Sequence, residues 1–424
     1  MKGTRLSKAY FETEHSARQI RHSTEEPRLS TQPGIEVGLL TGGQDRHYAF
    51  GLSMALAARN IRVDVVGSNL VDSPEMHSTI GVRFLNLHGS FEEASASRRL
   101  SRTLIAYARL IRYAATAEPR IFHILWNNKI PLFDRTLLML YYKFLGKMVA
   151  LTAHNVNADR RDSKDSLLNR LTLKFQYRIA DHIFVHTRKM ESELLDKFHV
   201  RKSAVTIIPF GVNNAVPDTA LRPAEARERL GIRSGEKTIL FFGAIKPYKG
   251  LEYLVAAFQQ MAGRERGLRL IIAGESKKGC EEYFSAIEEA ISRDSSRERV
   301  IQKIEFIPDD EAEVYFKAAD VAVLPYKEIF QSGILFLAYS FGLPVIATDV
   351  GSFAEDVIEG KTGFVCRPCD PDDLARTLQE YFESDLFMEL ESRRKEIRDF
   401  AFERHSWDVV GDITRSVYSR LLRT

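Results

Sequence analysis

Residues 238–250 read Thr-Ile-Leu-Phe-Phe-Gly-Ala-Ile-Lys-Pro-Tyr-Lys-Gly. The first five residues are almost purely apolar, which is typical of a strand buried on both faces of a parallel sheet. Lys246 and Lys249 follow in a glycine-flanked loop, and an apolar helical pattern that includes Leu254 and Phe258 comes next. The segment therefore predicts a βα unit with two cations at the carboxyl edge of a parallel sheet.

Two lysines at such an edge are placed to neutralise an anion, and the partial positive charge of the next helix N-terminus adds to their effect. A diphosphate is an anion of suitable size. A solvated pair of lysines in a turn is the alternative interpretation, and charge alone favours it.

Units of this kind recur along the chain, which at 424 residues exceeds what one hydrophobic core usually organises. Short β-branched runs, each followed by a Gly-containing turn and a helical pattern, indicate parallel βα units. The predicted strands of the first block are Ile35–Leu40, Arg62–Val66, Val82–Leu85, Ile121–Leu125, Met148–Thr152, Ile183–His186 and Val205–Ile208. Those of the second block are Thr238–Phe242, Leu268–Ala273, Ile304–Ile307, Val321–Leu324, Pro344–Ala347 and Gly363–Val365. The fold class is thus α/β, with two Rossmann-like lobes and a cleft between the carboxyl edges of their strands.

The predicted boundaries follow from these blocks. Residues 1–33 lack apolar periodicity and are expected to form a disordered tail. Residues 34–213 form the first lobe and residues 214–405 the second, with a polar, Pro-bearing linker up to about residue 234. Residues 406–424 end the chain as an amphipathic helix.

Composition excludes several classes of protein. Sixty Lys and Arg against fifty-seven Asp and Glu leave a net charge of +3, too small to indicate nucleic acid as a partner. The apolar stretch 137–153 is interrupted by lysines and falls short of the roughly twenty apolar residues that cross a bilayer. Three cysteines rule out a disulfide scaffold and favour a reducing, cytoplasmic compartment. Cys366 and Cys369 form a lone CxxC, which we interpret as coincidence in a loop.

Three further segments fall at predicted strand ends. Gln331-Ser332-Gly333-Ile334 opens a helix, and small residues there let backbone N–H groups approach a phosphate, although a capping turn without a ligand is equally consistent. Gly42-Gly43 lacks the GxGxxG spacing of a dinucleotide site, which argues against classical NAD binding. His154-Asn155 follows a strand, so these side chains are candidates for contact with a sugar hydroxyl or a reacting group.

The order of these segments resembles glycosyltransferase family 4, also called glycosyl transferases group 1, whose members are retaining enzymes of GT-B fold. The ordered set is Gly42-Gly43, Leu151-Thr152-Ala153-His154-Asn155, Ile208-Pro209-Phe210-Gly211-Val212, the Lys246 and Lys249 loop, Ile272-Ala273-Gly274-Glu275, Ala319–Pro325 and Gly342–Gly351. The resemblance covers nearly everything from Gly34 to Leu422 and favours the anion-binding interpretation of the lysines.

The resemblance implies roles for individual residues. The donor diphosphate would contact Gly43, Lys246, Lys249 and the turn Ser332-Gly333-Ile334, and the catalytic pair would be His154 and Lys249. The nucleotide would lie near Gly274, Pro308 and Glu328, and the acceptor side would include Gly42 and Asn155. The final helix would cross back to pack on the first lobe.

One departure from the family pattern concerns two glutamates that many members carry eight positions apart. Counted back from Gly342, those positions are Ile329 and Leu337, and Glu328 is one residue early. The departure puts the ribose contact in doubt.

A segment rich in arginine, 98–112, has leucines on one side and arginines elsewhere. The pattern favours a sheet-covering helix with a solvated basic face, and a helix on an anionic membrane surface is the alternative. The sequence therefore leaves a peripheral contact with the inner face of the cytoplasmic membrane open.

The function expected from the resemblance is transfer of a sugar, in hexosyltransferase fashion, from a UDP- or GDP-sugar to a hydroxyl of a glycan or lipid-linked acceptor, with retention at the anomeric carbon. Polysaccharide biosynthesis is a suitable setting. We expect no cofactor and no metal, because lysines can stabilise the departing diphosphate. A GT-B sugar-nucleotide epimerase and a catalytically degenerate binding protein are the alternatives.

Overall fold

The computed structural model describes residues 34–90, 95–161, 165–213 and 216–423, so the predicted tail lies outside the described residues. Two parallel sheets organise the chain. The first has seven strands: β1 Glu36–Leu40, β2 Arg62–Gly67, β3 Val82–Asn86, β4 Ile121–Ile124, β5 Met148–Thr152, β6 His182–Val185 and β7 Val205–Ile207. The second has six: β8 Lys237–Phe242, β9 Leu268–Ala273, β10 Val300–Lys303, β11 Val321–Leu324, β12 Val345–Thr348 and β13 Gly363–Cys366.

The two sheets share a topology. The first runs in the order β3-β2-β1-β4-β5-β6-β7 and the second in the order β10-β9-β8-β11-β12-β13. In each sheet the strand order reverses once, between β1 and β4 and between β8 and β11. Ligands of open α/β sheets bind at the carboxyl ends of the strands beside such a reversal. The two-lobe α/β architecture predicted from the sequence is confirmed.

One predicted strand is wrong. Residues 304–307 form a loop, and the tenth strand is Val300–Lys303, which pairs in parallel with β9 from Leu270 to Ala273. The strand lies at the sheet edge and is only partly buried, so its residues are mixed in polarity. Ile307 is apolar because it packs against the core after the strand has ended. The apolar residues at 304–307 therefore did not mark the edge strand, which precedes them.

Helices cover both faces of each sheet. Those of the first lobe are α1 Arg46–Ala57, α2 Pro74–Ser78, α3 Ala96–Thr116, α4 Pro131–Phe133, α5 Met139–Phe144, α6 Ala158–Arg161, α7 Leu167–Ile179 and α8 Arg188–Phe198, with a π-helical segment, Asp134–Leu138, joining α4 to α5. Those that follow are α9 Pro223–Arg229, α10 Leu251–Ala262, α11 Glu281–Arg293, α12 Asp309–Ala318, α13 Gly333–Ser340, α14 Phe353–Asp356, α15 Pro371–Glu383, α16 Asp385–Met388, α17 Leu390–His405 and α18 Trp407–Leu421. Three 3-10 turns complete the set: Lys202–Ala204, Pro247–Lys249 and Arg297–Arg299.

The last helix packs on the first lobe. Val410, Val417 and Tyr418 of α18 share a buried cluster with residues of α1 and β1. The Trp407 ring fills a space that exists because Gly51 and Gly211 lack side chains: a Cβ on either glycine would lie within 2.4 Å of the ring. The lobe boundaries at residues 213 and 405 stay predictions.

Candidate functional site

A cleft of about 540 Å³ lies between the carboxyl edges of the two sheets. Its lining includes residues that follow β1 and β4 in the first lobe and β8 and β11 in the second. These four strands flank the two points where strand order reverses. The cleft is therefore where the topology of parallel sheets predicts a ligand.

The lysine loop after β8 holds one lysine at the cleft. Lys249 is only 7% exposed, and its Nζ lies 5.3 Å from the centroid of the Tyr326 ring. Two glycines permit this. Gly243 has φ of 97°, and a Cβ on it would come within 3.2 Å of the Lys249 Nζ; a Cβ on Gly250, at φ of 65°, would overlap the carbonyl oxygen of Pro325. Backbone conformation and close contact thus require glycine on both sides of the lysine.

The N-terminus of α13 reaches the cleft beside this loop. Ser332 is the N-cap, and its Oγ accepts a hydrogen bond from the backbone N–H of Ile334 at 3.3 Å. Gly333 and Ile334 line the cleft together with Gln331. The first backbone N–H groups of a helix have no partner within the helix, and they carry partial positive charge. This wall of the cleft therefore combines a buried ammonium group with a helix N-terminus.

Two histidines on the first-lobe wall form a directed hydrogen-bond chain. His186 Nδ1 lies 3.2 Å from the carbonyl oxygen of Ile208, and His186 Nε2 lies 3.0 Å from His154 Nδ1. Burial lowers the pKa of His186 to about 4 and lowers that of His154 well below its ordinary value. Both rings are neutral near pH 7.

The direction of the chain fixes the tautomer of His154. A carbonyl oxygen can only accept, so His186 carries its proton on Nδ1, and its Nε2 must accept from His154 Nδ1. His154 Nε2 is then left with a lone pair. That atom is buried and has no hydrogen-bond partner among the residues that the structure describes. The first-lobe wall thus presents His154 Nε2 as an acceptor without a partner among the described residues.

Aromatic rings enclose His154. The Trp126 ring stacks on it at 4.5 Å between centroids and an interplanar angle of 12°, and Tyr48 meets it edge-on at 4.4 Å. Asp45 lies beside them as the N-cap of α1, where its Oδ1 accepts from the Tyr48 N–H at 3.2 Å. Burial raises the pKa of the Asp45 carboxyl group. The surroundings of His154 are therefore mainly aromatic, with Asp45 as the acidic group beside them.

The two lobes touch across the mouth of the cleft. Asp309, at the start of α12, pairs with His47 Nε2 at 3.4 Å and with Arg46 Nη1 at 3.6 Å. Burial alone would raise the pKa of Asp309, but the hydrogen bond and charges of these two partners lower it on balance. A second contact between the lobes joins Phe210, which lines the cleft, to Phe336 of α13, with 5.5 Å between ring centroids.

The structure brings some of the predicted site residues together and leaves others outside. Lining the cleft are His154, Asn155, Lys249, Gly274, Ser332, Gly333 and Ile334. Gly42, Gly43, Lys246, Pro308 and Glu328 are not among the described residues that line it. Gly42 packs against the backbone after β4, where a Cβ would come within 2.6 Å of the Asn127 carbonyl oxygen. Gly43 is buried, and its carbonyl oxygen accepts a hydrogen bond from Ser68 Oγ at 2.9 Å. Lys246 is half-buried and Glu328 is exposed.

Pro308 is the residue before α12, and its neighbours Ile307 and Asp309 both line the cleft. Its assignment rested on a strand ending at Ile307, and that strand ends at Lys303 instead. The loop still reaches the cleft, although four residues farther from the sheet than expected.

Sequence reasoning missed several residues of the site. Asp45, Tyr48 and Trp126 line the cleft but were assigned no role. Trp126 comes two residues after β4, so the rule that ligands meet the carboxyl ends of strands would have found it. Phe210 and Gln331 stood inside quoted motifs without a function. Only the fold shows that Tyr48, on α1, reaches His154.

The positions of the two absent glutamates are apolar walls of the same cleft. Ile329 and Leu337 both line it and are buried. Nearby, Gln331 Nε2 donates to Asp356 Oδ2 at 3.4 Å, and Ser352 Oγ donates to the same oxygen at 2.6 Å. Burial raises the pKa of Asp356 to about 6. Since the carboxylate accepts from the amide nitrogen, Gln331 Oε1 faces elsewhere, and it is buried without a partner among the described residues.

Comparison with known proteins supports the family that the ordered motifs predict. The model of the Glycosyltransferase Family 4 matches residues 41–216, and that of the Glycosyl transferases group 1 matches residues 236–384. A D-inositol 3-phosphate glycosyltransferase of Corynebacterium diphtheriae is 24% identical, covering 84% of this chain and 86% of that protein. The enzyme of the same name from Nocardioides is 25% identical, covering 92% and 88%.

Solved structures agree on the fold. A sucrose-phosphate synthase of Thermosynechococcus elongatus superposes with a TM-score of 0.73 at 20% identity, covering 92% of this chain and all of that one. HepE of Anabaena, in complex with UDP and glucose, gives 0.71 at 16% identity, covering 91% of this chain and 100% of that one. The family predicted from the ordered motifs is confirmed: the chain belongs to glycosyltransferase family 4, the glycosyl transferases of group 1, and is a glycosyltransferase of GT-B fold.

Proposed function

We propose that the protein transfers a sugar from a nucleoside diphosphate sugar to an acceptor hydroxyl, with retention at the anomeric carbon. The observation that carries the proposal is the position of Lys249, whose ammonium group is buried at the cleft beside the N-terminus of α13. An ammonium group beside a helix N-terminus makes this part of the cleft positively charged. A pyrophosphate is an anion that suits such a wall when the donor binds.

The charge of this wall suits the chemistry of transfer. Cleavage of the bond to the anomeric carbon leaves a growing negative charge on the departing diphosphate. Lys249 and the partial positive charge of the helix N-terminus at Ser332, Gly333 and Ile334 stabilise that charge more in the transition state than in the ground state. Lys246 is in the same loop but outside the cleft lining, and it attracts the diphosphate over a longer distance. Gly43 is buried behind the first-lobe wall and supports it.

The nucleoside extends from the diphosphate toward Gly274 and the loop that holds Ile307 and Pro308. UDP and GDP are the two candidates for the carrier, and Anabaena HepE, which was crystallised with UDP-glucose, favours UDP. Glu328 is exposed, so its predicted contact with the nucleotide requires movement of its loop.

The acceptor atom on the first-lobe wall, His154 Nε2, serves a neutral group. A hydroxyl of the donor sugar donates to it when the donor binds, and the hydrogen-bond chain through His186 keeps the lone pair on Nε2. Asn155 and Gly42 lie on the same side, where the acceptor is expected to bind. His154 thus orients the sugar instead of stabilising the diphosphate.

Gln331 offers a substitute for the absent glutamates. Its Oε1 accepts from a hydroxyl of the donor, and Asp356 holds the amide in the orientation that makes this possible. An amide oxygen provides the same acceptor geometry as one carboxylate oxygen without the negative charge. The apolar side chains of Ile329 and Leu337 then need no polar partner.

Retention fits the state of the carboxylates in the cleft. Asp45 caps α1, Glu275 pairs with Lys277, and Asp309 pairs with Arg46 and His47. Each of these carboxylates is already held by a protein group. This supports a mechanism in which the leaving diphosphate guides the acceptor to the same face of the sugar, over a double displacement through a carboxylate.

The acceptor and the location are likewise proposals. The named relatives act on D-inositol 3-phosphate, which supports a polyol or glycan hydroxyl as the nucleophile. All three cysteines are free thiols, typical of a reducing compartment such as the cytoplasm. No helix among the described residues is both long and apolar enough to cross a bilayer.

A donor-consumption assay tests the proposal. The protein is incubated with UDP- and GDP-sugars, with and without inositol phosphates or glycans, and release of nucleoside diphosphate is measured. A transferase releases the diphosphate faster when an acceptor is present, and NMR of the product shows the donor's anomeric configuration. Conversion of the donor without acceptor indicates an epimerase, and binding without consumption indicates a degenerate binding protein.

A further inference from the structure

Three helical segments of the first lobe lie side by side on the face of the sheet opposite α1 and α18. They are α3, the continuous segment 131–144, and α7. Tyr141 Oη donates to the carbonyl of Ile111, which joins the second segment to the first, and Arg135 Nη1 donates to Asn169 Oδ1 at 2.6 Å, which joins it to the third. We call their outer surface the three-helix face.

The three-helix face exposes an unusual amount of apolar surface. Ten of the sixteen large hydrophobic side chains that are exposed among the described residues lie on it: Leu100, Leu104, Ile105, Leu132, Leu137, Leu140, Phe144, Leu167, Leu168 and Leu171. Phe144 is 87% exposed and Leu167 is 72% exposed. Scattered exposed leucines need no explanation, but a concentration on adjoining helices marks an interaction surface.

The same helices are strongly basic. They carry ten arginines and lysines: Arg98, Arg99, Arg102, Arg109, Arg112, Arg135, Lys143, Arg170, Lys174 and Arg178. Their one carboxylate, Asp134, is buried. Lys143 and Arg170 pair with Asp181 and Asp165 from neighbouring loops, whereas Arg98, Arg99, Arg109 and Arg112 are exposed and have no ion pair with any residue that the structure describes. The whole chain has a net charge of only +3, so the positive charge is local.

We infer that the three-helix face is a docking surface for an anionic lipid bilayer. Exposed leucine and phenylalanine side chains insert among acyl chains, while arginines on the same helices contact phosphate headgroups. The exposed apolar side chains of the three-helix face are spread over three helices, so they suit a broad, fluid surface. An acidic protein partner would satisfy the arginines but would require a matching apolar groove.

The inference goes beyond the proposed transfer reaction and does not depend on the donor. It gives the first lobe, where the acceptor is expected to bind, a position at the membrane. The chemical class of acceptor that it favours is a lipid-linked one. Vesicle binding and donor binding can fail separately, so the two proposals are distinguishable.

Co-sedimentation of the full chain with vesicles tests the inference. Vesicles of phosphatidylcholine alone are compared with vesicles that also contain phosphatidylglycerol. We expect sedimentation with the anionic vesicles, little with the neutral ones, and release at high salt, because salt screens the arginines. Equal binding to both vesicles, or binding to neither, contradicts the inference; an acidic protein partner would give the latter result.

Matched variants locate the contact. Leu132→Ser with Phe144→Ser removes apolar side chains, and Arg109→Glu with Arg112→Glu reverses two charges. Each pair is expected to weaken binding to anionic vesicles by at least about tenfold, because each basic residue near the surface contributes several-fold and insertion of large apolar side chains contributes at least as much. Met388→Ser with Phe402→Ser changes exposed side chains of the second lobe and should bind like the native protein.

Thermal unfolding and nucleotide binding show whether each variant is folded. Should a variant fail to fold, hydrogen exchange of the native protein supplies an independent readout. Anionic vesicles should slow exchange in peptides from 96–116, 131–144 and 167–179 but not in peptides of α16 and α17. Protection confined to the second lobe, or wild-type binding by both paired variants, overturns the assignment of this face.

Discussion

The two walls of the cleft differ in charge. The second-lobe wall presents a buried ammonium group and a helix N-terminus, whereas the first-lobe wall presents neutral histidines among aromatic rings. A dianionic diphosphate requires the first kind of wall, and the hydroxyls of a sugar require the second. The two lobes are alike in topology, but the proposal assigns the charged part of the ligand to the second lobe and the uncharged sugar to the first. Changes on one wall should therefore affect different steps from changes on the other.

The largest effect is expected at Lys249. Lys249→Ala removes the buried charge beside the departing diphosphate, and loss of one such stabilising group costs roughly 10²- to 10³-fold in turnover. The fold should survive, since the lysine ends at the cleft. Steady-state kinetics and thermal unfolding check both statements. Lys246→Ala, in the same loop but outside the cleft, is the matched control and should lose far less; near-normal turnover by Lys249→Ala would count heavily against the mechanism.

On the opposite wall, the tautomer of His154 depends on His186. His186→Leu removes the acceptor that fixes the proton on His154 Nδ1, so we expect kcat to fall by about tenfold or more, while binding of free nucleoside diphosphate is unchanged. His182→Gln is the matched control. His182 begins β6, the strand that His186 follows, and its Nε2 lies 2.8 Å from Thr206 Oγ1, outside the cleft. Equal losses in both variants, or weaker nucleoside diphosphate binding in His186→Leu alone, would break the division between the walls.

A smaller effect is expected at Gln331, an uncharged side chain on the second-lobe wall. Gln331→Leu leaves a donor hydroxyl without its acceptor, a loss of about 1–3 kcal/mol in donor binding, or roughly five- to 150-fold in affinity. Gln331→Glu keeps an acceptor oxygen and should retain more affinity. Calorimetry with the intact sugar nucleotide measures the difference. If Gln331→Leu binds the donor as tightly as the native protein does, the apolar positions 329 and 337 have some other compensation.

The smallest effect on sugar transfer concerns stability in acid, which depends on buried histidines. Burial lowers the pKa of His186, and that of His405 at the end of α17, to about 4 from the ordinary 6.5. The unfolded chain therefore binds protons that the folded chain does not between pH 6.5 and pH 4, so the free energy of unfolding falls as pH falls through that window. Thermal unfolding at several pH values should show a decline starting near pH 6.5. A Tm that is flat down to pH 4 would mean that these rings are charged in the folded protein.

The sequence predicted the charged wall better than the neutral one, for a physical reason. Lys249 and Ser332-Gly333 lie in contiguous segments whose glycines are needed locally, so their placement follows from a strand, a turn and a helix. The chain from Ile208 through His186 to His154 joins the ends of three different strands, and its direction depends on hydrogen bonds that no spacing encodes. Tyr48 and Trp126 reach the same point from two further elements.

The fold itself was largely predictable because central parallel strands are continuous apolar runs. The edge strand Val300–Lys303 was missed because it is half exposed, so its neighbours in sequence were more apolar than the strand was. The amphipathic pattern of α3 was visible in the sequence. Its continuation across 131–144 and α7 was not, since only the packed lobe brings the three helices together.

Calorimetric titration of UDP and GDP tests the central claim most directly. We expect the native protein to bind one of them at a single site, with the affinity weakened by at least about tenfold in Lys249→Ala and nearly unchanged in Lys246→Ala. Absence of binding for both nucleotides, or equal affinity in the native protein and Lys249→Ala, would contradict the assignment of a diphosphate to the second-lobe wall.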